Sequence, residues 1–190
     1  MARNIVLTPE QIEEVTTRLG HQLGEVLKGA KRVPLIVGVM KGSLNFMMDL
    51  IKHIDVPIFT DYIHVSSYEG TSSSGHVRLF KDITYDCTDR IVVIVEDVVD
   101  TGLSMQYLIN HIKLNNPEKI IVCSLLDKKN ARQVPVKVDF AGVVLEKNDF
   151  LIGYGLDYNE LERNLPYIYS ATPEDVKELD AILKQDENNR

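Results

Sequence analysis

A chain of 190 residues with an apolar fraction of 44% is long enough for one globular domain with a proper core. A net charge of −7 argues against a general nucleic-acid binder, and no segment reads as a secretory leader or bilayer span, so a cytoplasmic protein is expected. Cys87 and Cys123 are the only cysteines and lack ligand-like spacing, which predicts neither a zinc site nor a disulfide framework.

Thr8-Pro9-Glu10-Gln11 opens the first helix with an N-cap hydroxyl, a proline at the first helical position and a glutamine at the third. Ile12, Val15, Leu19, Leu23, Val26 and Leu27 continue it as one apolar stripe, and Gly29 ends it. Residues 34–39 read as a buried strand and Met40-Lys41-Gly42-Ser43 as the turn beyond it. A helix follows with Phe46, Met47, Leu50, Ile51 and Ile54 facing inward. Residues 58–66 form another expected strand, and residues 67–76 have the Gly/Ser-rich composition of a loop. Gly70 and Gly75 have P-loop spacing, but His76-Val77 stands where Lys-Ser/Thr is required, so that reading is rejected.

The most informative stretch is residues 91–104. Ile91 to Val95 is an unbroken β-branched run, the pattern of a strand buried on both faces. It leads into a loop carrying Glu96, Asp97 and Asp100, then Thr101-Gly102-Leu103-Ser104. A helix follows, striped by Met105, Leu108, Ile109 and Ile112. Backbone N–H groups at a helix start suit a phosphate, Thr101 and Ser104 add hydroxyl donors, and Gly102 allows close approach. Carboxylates suit sugar hydroxyls and hydrated Mg²⁺. Together they predict a phosphorylated-sugar site.

Residues 119–126 read as the next strand, with Asp127-Lys128-Lys129 at its end; residues 138–146 and 150–152 are further strands. Taken alone, Lys41 is as well explained as a solvated turn lysine, Lys128 as surface charge, and Phe150 as core. Thr172-Pro173-Glu174-Asp175 caps a last helix bearing Val176, Leu179, Ile182 and Leu183, before a polar tail at 185–190 expected to be frayed. Alternating strands and helices predict an α/β class with a central, mostly parallel sheet flanked by helices.

Residues 95–102, Val-Glu-Asp-Val-Val-Asp-Thr-Gly, resemble the phosphoribosyl pyrophosphate (PRPP) motif of type I phosphoribosyltransferases, most closely the hypoxanthine-guanine branch. Matches in the family's order run from Val39 to Pro166. The resemblance implies a single domain over 1–190, with a core at about 30–145 and a small C-terminal hood at about 146–170 plus terminal segments. It implies Mg²⁺ as cofactor, PRPP and a 6-oxopurine as substrates, no nucleic acid or membrane as partner, and a homodimer or homotetramer.

Residue by residue, Lys41-Gly42 matches the pyrophosphate loop, whose peptide can be cis in the family, turning a backbone N–H towards pyrophosphate. Ser67-Tyr68 would begin a lid that excludes water. Glu96 and Asp97 would hold ribose hydroxyls and the metal, with Asp157 helping with the metal or purine. Thr101, Gly102 and Ser104 would hold the phosphate, Arg163 would clamp pyrophosphate, and Asp100 would accept the purine N7 proton. Lys128 would contact the exocyclic oxygen of the base, Phe150 would stack on it, and the Leu151 backbone would read its edge. Leu103 departs from members with lysine there. The competing readings are a sibling transferase for xanthine or another base, and a PRPP-sensing regulator that binds nucleic acid. The second needs a basic face that −7 does not favour.

Overall fold

The computed structural model describes residues 3–67 and 77–189. Tyr68 and most of the expected lid loop lie outside the described residues; Ser67 is the last residue of its strand.

The core is a six-stranded sheet in the order β4-β3-β2-β5-β6-β7, formed by β2 (Leu35–Met40), β3 (Phe59–Ser67), β4 (Val77–Lys81), β5 (Ile91–Val99), β6 (Lys119–Asp127) and β7 (Phe140–Val144). All pairs are parallel except β3 with β4. The expected β5 run is buried from Ile91 to Val95, as a strand covered on both faces must be. Helices α1 (Pro9–Leu27) and α2 (Leu44–Leu50) cover one face through Leu19, Leu23, Phe46 and Leu50; α3 (Leu103–Lys113) covers the other through Met105, Leu108 and Ile112. Each such buried apolar side chain contributes roughly 1.5–3 kcal/mol over exposure. The α1 N-terminus is the expected capping box, with Thr8 Oγ1 accepting from Gln11 N and Gln11 Oε1 accepting from Thr8 N.

A second, three-stranded sheet has the order β1-β9-β8, from β1 (Asn4–Leu7), β9 (Ile168–Ser170) and β8 (Leu151–Ile152), all antiparallel. It forms the hood, centred on the fully buried Tyr169, whose hydroxyl donates to Glu162 at 2.6 Å. Helix α4 (Pro173–Asn188) packs Leu179 beside it.

Several expectations change. β5 continues through Glu96 and Asp97 to Val99, so two of the three acids lie in the strand rather than in a loop. The ladder to β6 persists there, pairing Glu96 with Ser124 and Val98 with Leu126. β4, unforeseen after the polar loop, is an antiparallel edge strand whose residues alternate between partly buried and exposed. Val26 is 40% exposed and Ile182 52%, because each helix buries a narrower stripe than its apolar residues suggest. The polar tail is not frayed at 185–188: α4 continues to Asn188 through Gln, Asp and Glu on a solvent-facing turn.

The hood turn docks on the core by close backbone approach. Gly155 sits at φ +102°, and a Cβ there would lie 2.1 Å from the Gly42 carbonyl oxygen. Asn45 Nδ2 donates to Arg163 O at 3.2 Å, and the Tyr154 hydroxyl donates to Asp49 at 2.6 Å, adding two further ties. Gly155→Ala should therefore cost about 1–3 kcal/mol, combining a left-handed backbone with an overpacked contact. Urea unfolding checks this; an unchanged midpoint would show that the approach is not close.

Candidate active site

Ligand sites in open α/β sheets lie beyond the carboxyl ends of the strands. Here a cleft of 520 Å³ opens at the ends of β2 and β5, beneath the hood turn. The fold brings ten expected residues to its wall: Lys41 and Gly42 after β2; Glu96, Asp97, Asp100, Thr101, Gly102 and Ser104 along β5 and the start of α3; and Asp157 and Arg163 from the hood. They come from three separated stretches of chain, and the sheet order places β2 directly beside β5.

The turn after β2 contains a cis peptide, which joins Met40 to Lys41, one bond before the position implied by the resemblance. Gly42 follows because nothing larger fits: a Cβ would lie 1.9 Å from Asp97 Oδ2. On the facing strand, Glu96 and Asp97 are consecutive carboxylates, the first partly buried and the second buried at 8% exposure. Burial, reinforced by the neighbouring Asp97 charge, pushes the Glu96 carboxyl well above its ordinary range; burial also raises Asp97. Two acids in this state lack an adequate counter-charge.

The loop after β5 is held from below by residues 127–134. Lys128 N donates to Val99 O at 3.0 Å, and the Thr101 carbonyl accepts from Gln133 N at 2.9 Å. Arg132 Nη1 donates to Asp100 O at 2.5 Å while its other terminal nitrogen pairs with the buried Asp127 carboxylate. Arg132, Asp127 and Gln133 thus shape the loop, a role the sequence reading missed. A lone arginine five residues past a strand-end aspartate carries no recognisable spacing. Gly102 (φ +87°) forms the α3 N-cap without a side-chain cap, and Leu103 N donates to Thr101 Oγ1 at 3.4 Å.

On the hood side, Arg163 pairs with Asp157 at 2.8 Å and donates through Nη1 to Gly155 O at 2.6 Å. Glu160, also unforeseen, pairs with Lys41 at 2.8 Å and with Arg163 at 3.3 Å; these cations, Lys41 foremost, hold its carboxyl below its usual range. The expected metal set of Glu96, Asp97 and Asp157 shares the cleft but is not gathered into one cluster. Among the described residues no three His, Cys, Asp or Glu side chains are grouped to hold a metal ion, and Asp157 faces Arg163 instead.

Of the residues expected at the base, Asp157 is in the cleft wall, whereas Lys128, Phe150 and Leu151 are not. Lys128 Nζ lies 3.4 Å from Asp100 Oδ2 and donates to the Asp149 carbonyl at 2.8 Å, linking the β5 loop to the residue before Phe150. Phe150 is 52% exposed and meets Tyr158 edge-on at 6.1 Å, so the core reading of this aromatic fails. Leu151 is buried in β8, paired with Ser170.

Comparison with known proteins agrees with this architecture. Residues 8–159 match the phosphoribosyl transferase domain family. The hypoxanthine-guanine phosphoribosyltransferase of Bacillus subtilis is 40% identical over 170 residues, covering 89% of this chain and 93% of that protein. The crystal structure of a hypoxanthine phosphoribosyltransferase from Staphylococcus aureus superposes with a TM-score of 0.84 at 38% identity, over 90% of this chain and 92% of the other. The bifunctional protein TilS/HprT of Listeria innocua is 40% identical over 90% of this chain, which spans only 26% of that protein's length. With its parallel sheet, hood and acid-bearing central strand, the chain belongs to the phosphoribosyltransferase family, in its hypoxanthine-guanine branch.

Proposed function

We propose that the chain catalyses the Mg²⁺-dependent transfer of the 5-phosphoribosyl group from PRPP to hypoxanthine or guanine, releasing IMP or GMP and pyrophosphate in purine salvage. The observation that carries this reading is the division of charge in the cleft. Paired carboxylates lie on β5, while Lys41, Arg163 and the helix start bearing Thr101, Gly102 and Ser104 line the same cleft. This is the complement of a sugar with a phosphate at one end and a pyrophosphate at the other.

Glu96 and Asp97 suit a hydrated divalent cation, since Mg²⁺ is typically held by one or two carboxylates plus substrate oxygens. When bound, Mg²⁺ supplies positive charge that stabilises the departing pyrophosphate. Lys41 and Arg163 stabilise the same leaving group as negative charge develops on it. Asp100, at the end of β5, accepts the purine N7 proton as general base. Its neighbour Lys128 donates to the exocyclic oxygen of a 6-oxopurine and disfavours adenine, which presents an amino group there. The exposed Phe150 ring supplies a stacking face. The same reading places the enzyme in the cytoplasm as a homodimer or homotetramer. Exposed Leu44, Met48, Tyr62 and Phe80 offer apolar surface for a second copy. No described helix is long and apolar enough to cross a membrane.

The direct test is nucleotide formation from PRPP and Mg²⁺ with hypoxanthine, guanine, xanthine and adenine in parallel. Turnover on the first two, abolished by EDTA, is expected; turnover on adenine alone would overturn the base assignment. Asp100→Asn should lower turnover about 10²–10⁴-fold, the range for loss of a general base. Unchanged turnover would remove Asp100 from that role.

The raised Glu96 and Asp97 carboxyls also set a pH dependence. Between the unfolded-state range near about 4 and their higher folded values, the native state holds protons that the unfolded chain has released. This pair therefore makes the metal-free protein less stable as pH rises through that window. Glu96→Gln should flatten that decline and raise the metal-free melting midpoint, by roughly 2–4 °C for each kcal/mol of repulsion relieved. It should also blunt the gain in midpoint on adding Mg²⁺. A variant that melts lower without metal and gains as much from Mg²⁺ would show that the pair is not the cation site.

A further inference from the structure

The two cations proposed for pyrophosphate already share an anion supplied by the protein. Glu160 Oε2 lies 2.8 Å from Lys41 Nζ and 3.4 Å from Arg163 Nε, while Oε1 lies 3.3 Å from Arg163 Nη2. One carboxylate thus bridges a lysine of the core and an arginine of the hood inside the cleft. The turn that presents it is specialised: Asn159, Glu160 and Glu162 have φ of 47°, 71° and 68°, a region non-glycine residues enter at a cost. Asp157 Oδ2 holds this turn by accepting from Glu160 N at 2.7 Å, and a bridge between Tyr158 and Leu161 closes it. Although the turn favours a glycine at 160, an acid stands there. None of the proposed chemical steps uses it.

We infer that Glu160 is a built-in competitor for pyrophosphate: its carboxylate stands in for the anion between Lys41 and Arg163 in the free enzyme and re-enters as the product leaves. This rests on the reading of the cleft as a pyrophosphate site. A bridging carboxylate lowers the net attraction of the two cations for an incoming anion. It also spares the leaving pyrophosphate from a site that would otherwise retain it. Both partners are more than half exposed at the Lys41–Glu160 contact, so the ion pair itself is weak and exchangeable. The device therefore tunes affinity without blocking the cleft.

The test is calorimetric titration of inorganic pyrophosphate, with MgCl₂ present, into the wild-type protein, Glu160→Gln and Glu160→Gly. Glutamine keeps the size and removes the charge, whereas glycine suits the left-handed backbone and removes the side chain. Both variants should bind pyrophosphate about three- to tenfold more tightly, with a parallel fall in the KM for PRPP. A residue that merely props up the turn would move affinity the other way. Wild-type binding with equal or weaker binding by both variants overturns the inference and leaves the pyrophosphate site standing. No binding to the wild type overturns the pyrophosphate reading and this inference with it.

Discussion

The cleft depends on one crowded point, the Gly42 backbone. On one side it meets the Asp97 carboxylate, where a Cβ would lie 1.9 Å from an oxygen; on the other its carbonyl meets Gly155 of the hood. Three segments separated widely in sequence therefore converge within little more than the thickness of a peptide. Residues bearing cations, acids and the hood turn reach one 520 Å³ space because two glycines let backbone replace side chain at that junction.

Around that junction the charges are divided by the element that carries them. The acids at 96 and 97 belong to a strand whose preceding five residues are wholly buried, so they are fixed with little freedom to separate. Their raised carboxyl ranges follow from burial at the strand end and, for Glu96, from the neighbouring Asp97 charge. The cations sit on turns, where side chains are longer and more exposed, and find carboxylate partners in Glu160 and Asp157. Rigid acids and adaptable cations suit a site that must hold a metal and sugar while admitting and releasing a polyanion.

Beneath the site, a second set of contacts secures the β5 loop without entering the cleft. Arg132 spans from the buried Asp127 carboxylate to the Asp100 carbonyl, and Lys128 reaches from Asp100 to the carbonyl just before Phe150. The proposed general base, the proposed base-reading lysine and the proposed stacking ring are thereby linked through a few hydrogen bonds. This support constrains the Asp100 backbone and leaves its side chain 42% exposed towards the cleft.

Much of this was legible in residue order. Five β-branched residues before Glu96 mark a strand buried on both faces, since strands inside a parallel sheet read as continuous apolar runs. The capping pattern at Thr8 marks a helix start because its hydrogen bonds are local, and the Asp100-Thr101-Gly102 turn is readable for the same reason. Pairings across long separations carry no such local mark. Lys41 with Glu160 and Arg132 with Asp100 each join residues that become neighbours only when strands and hood assemble. The strand boundary at Val99, the exposure of Phe150 and the coupling of Asp157 to Arg163 were likewise decided by tertiary packing. Propensity and periodicity act over a few residues, whereas burial and charge pairing depend on which distant segments arrive at the same place.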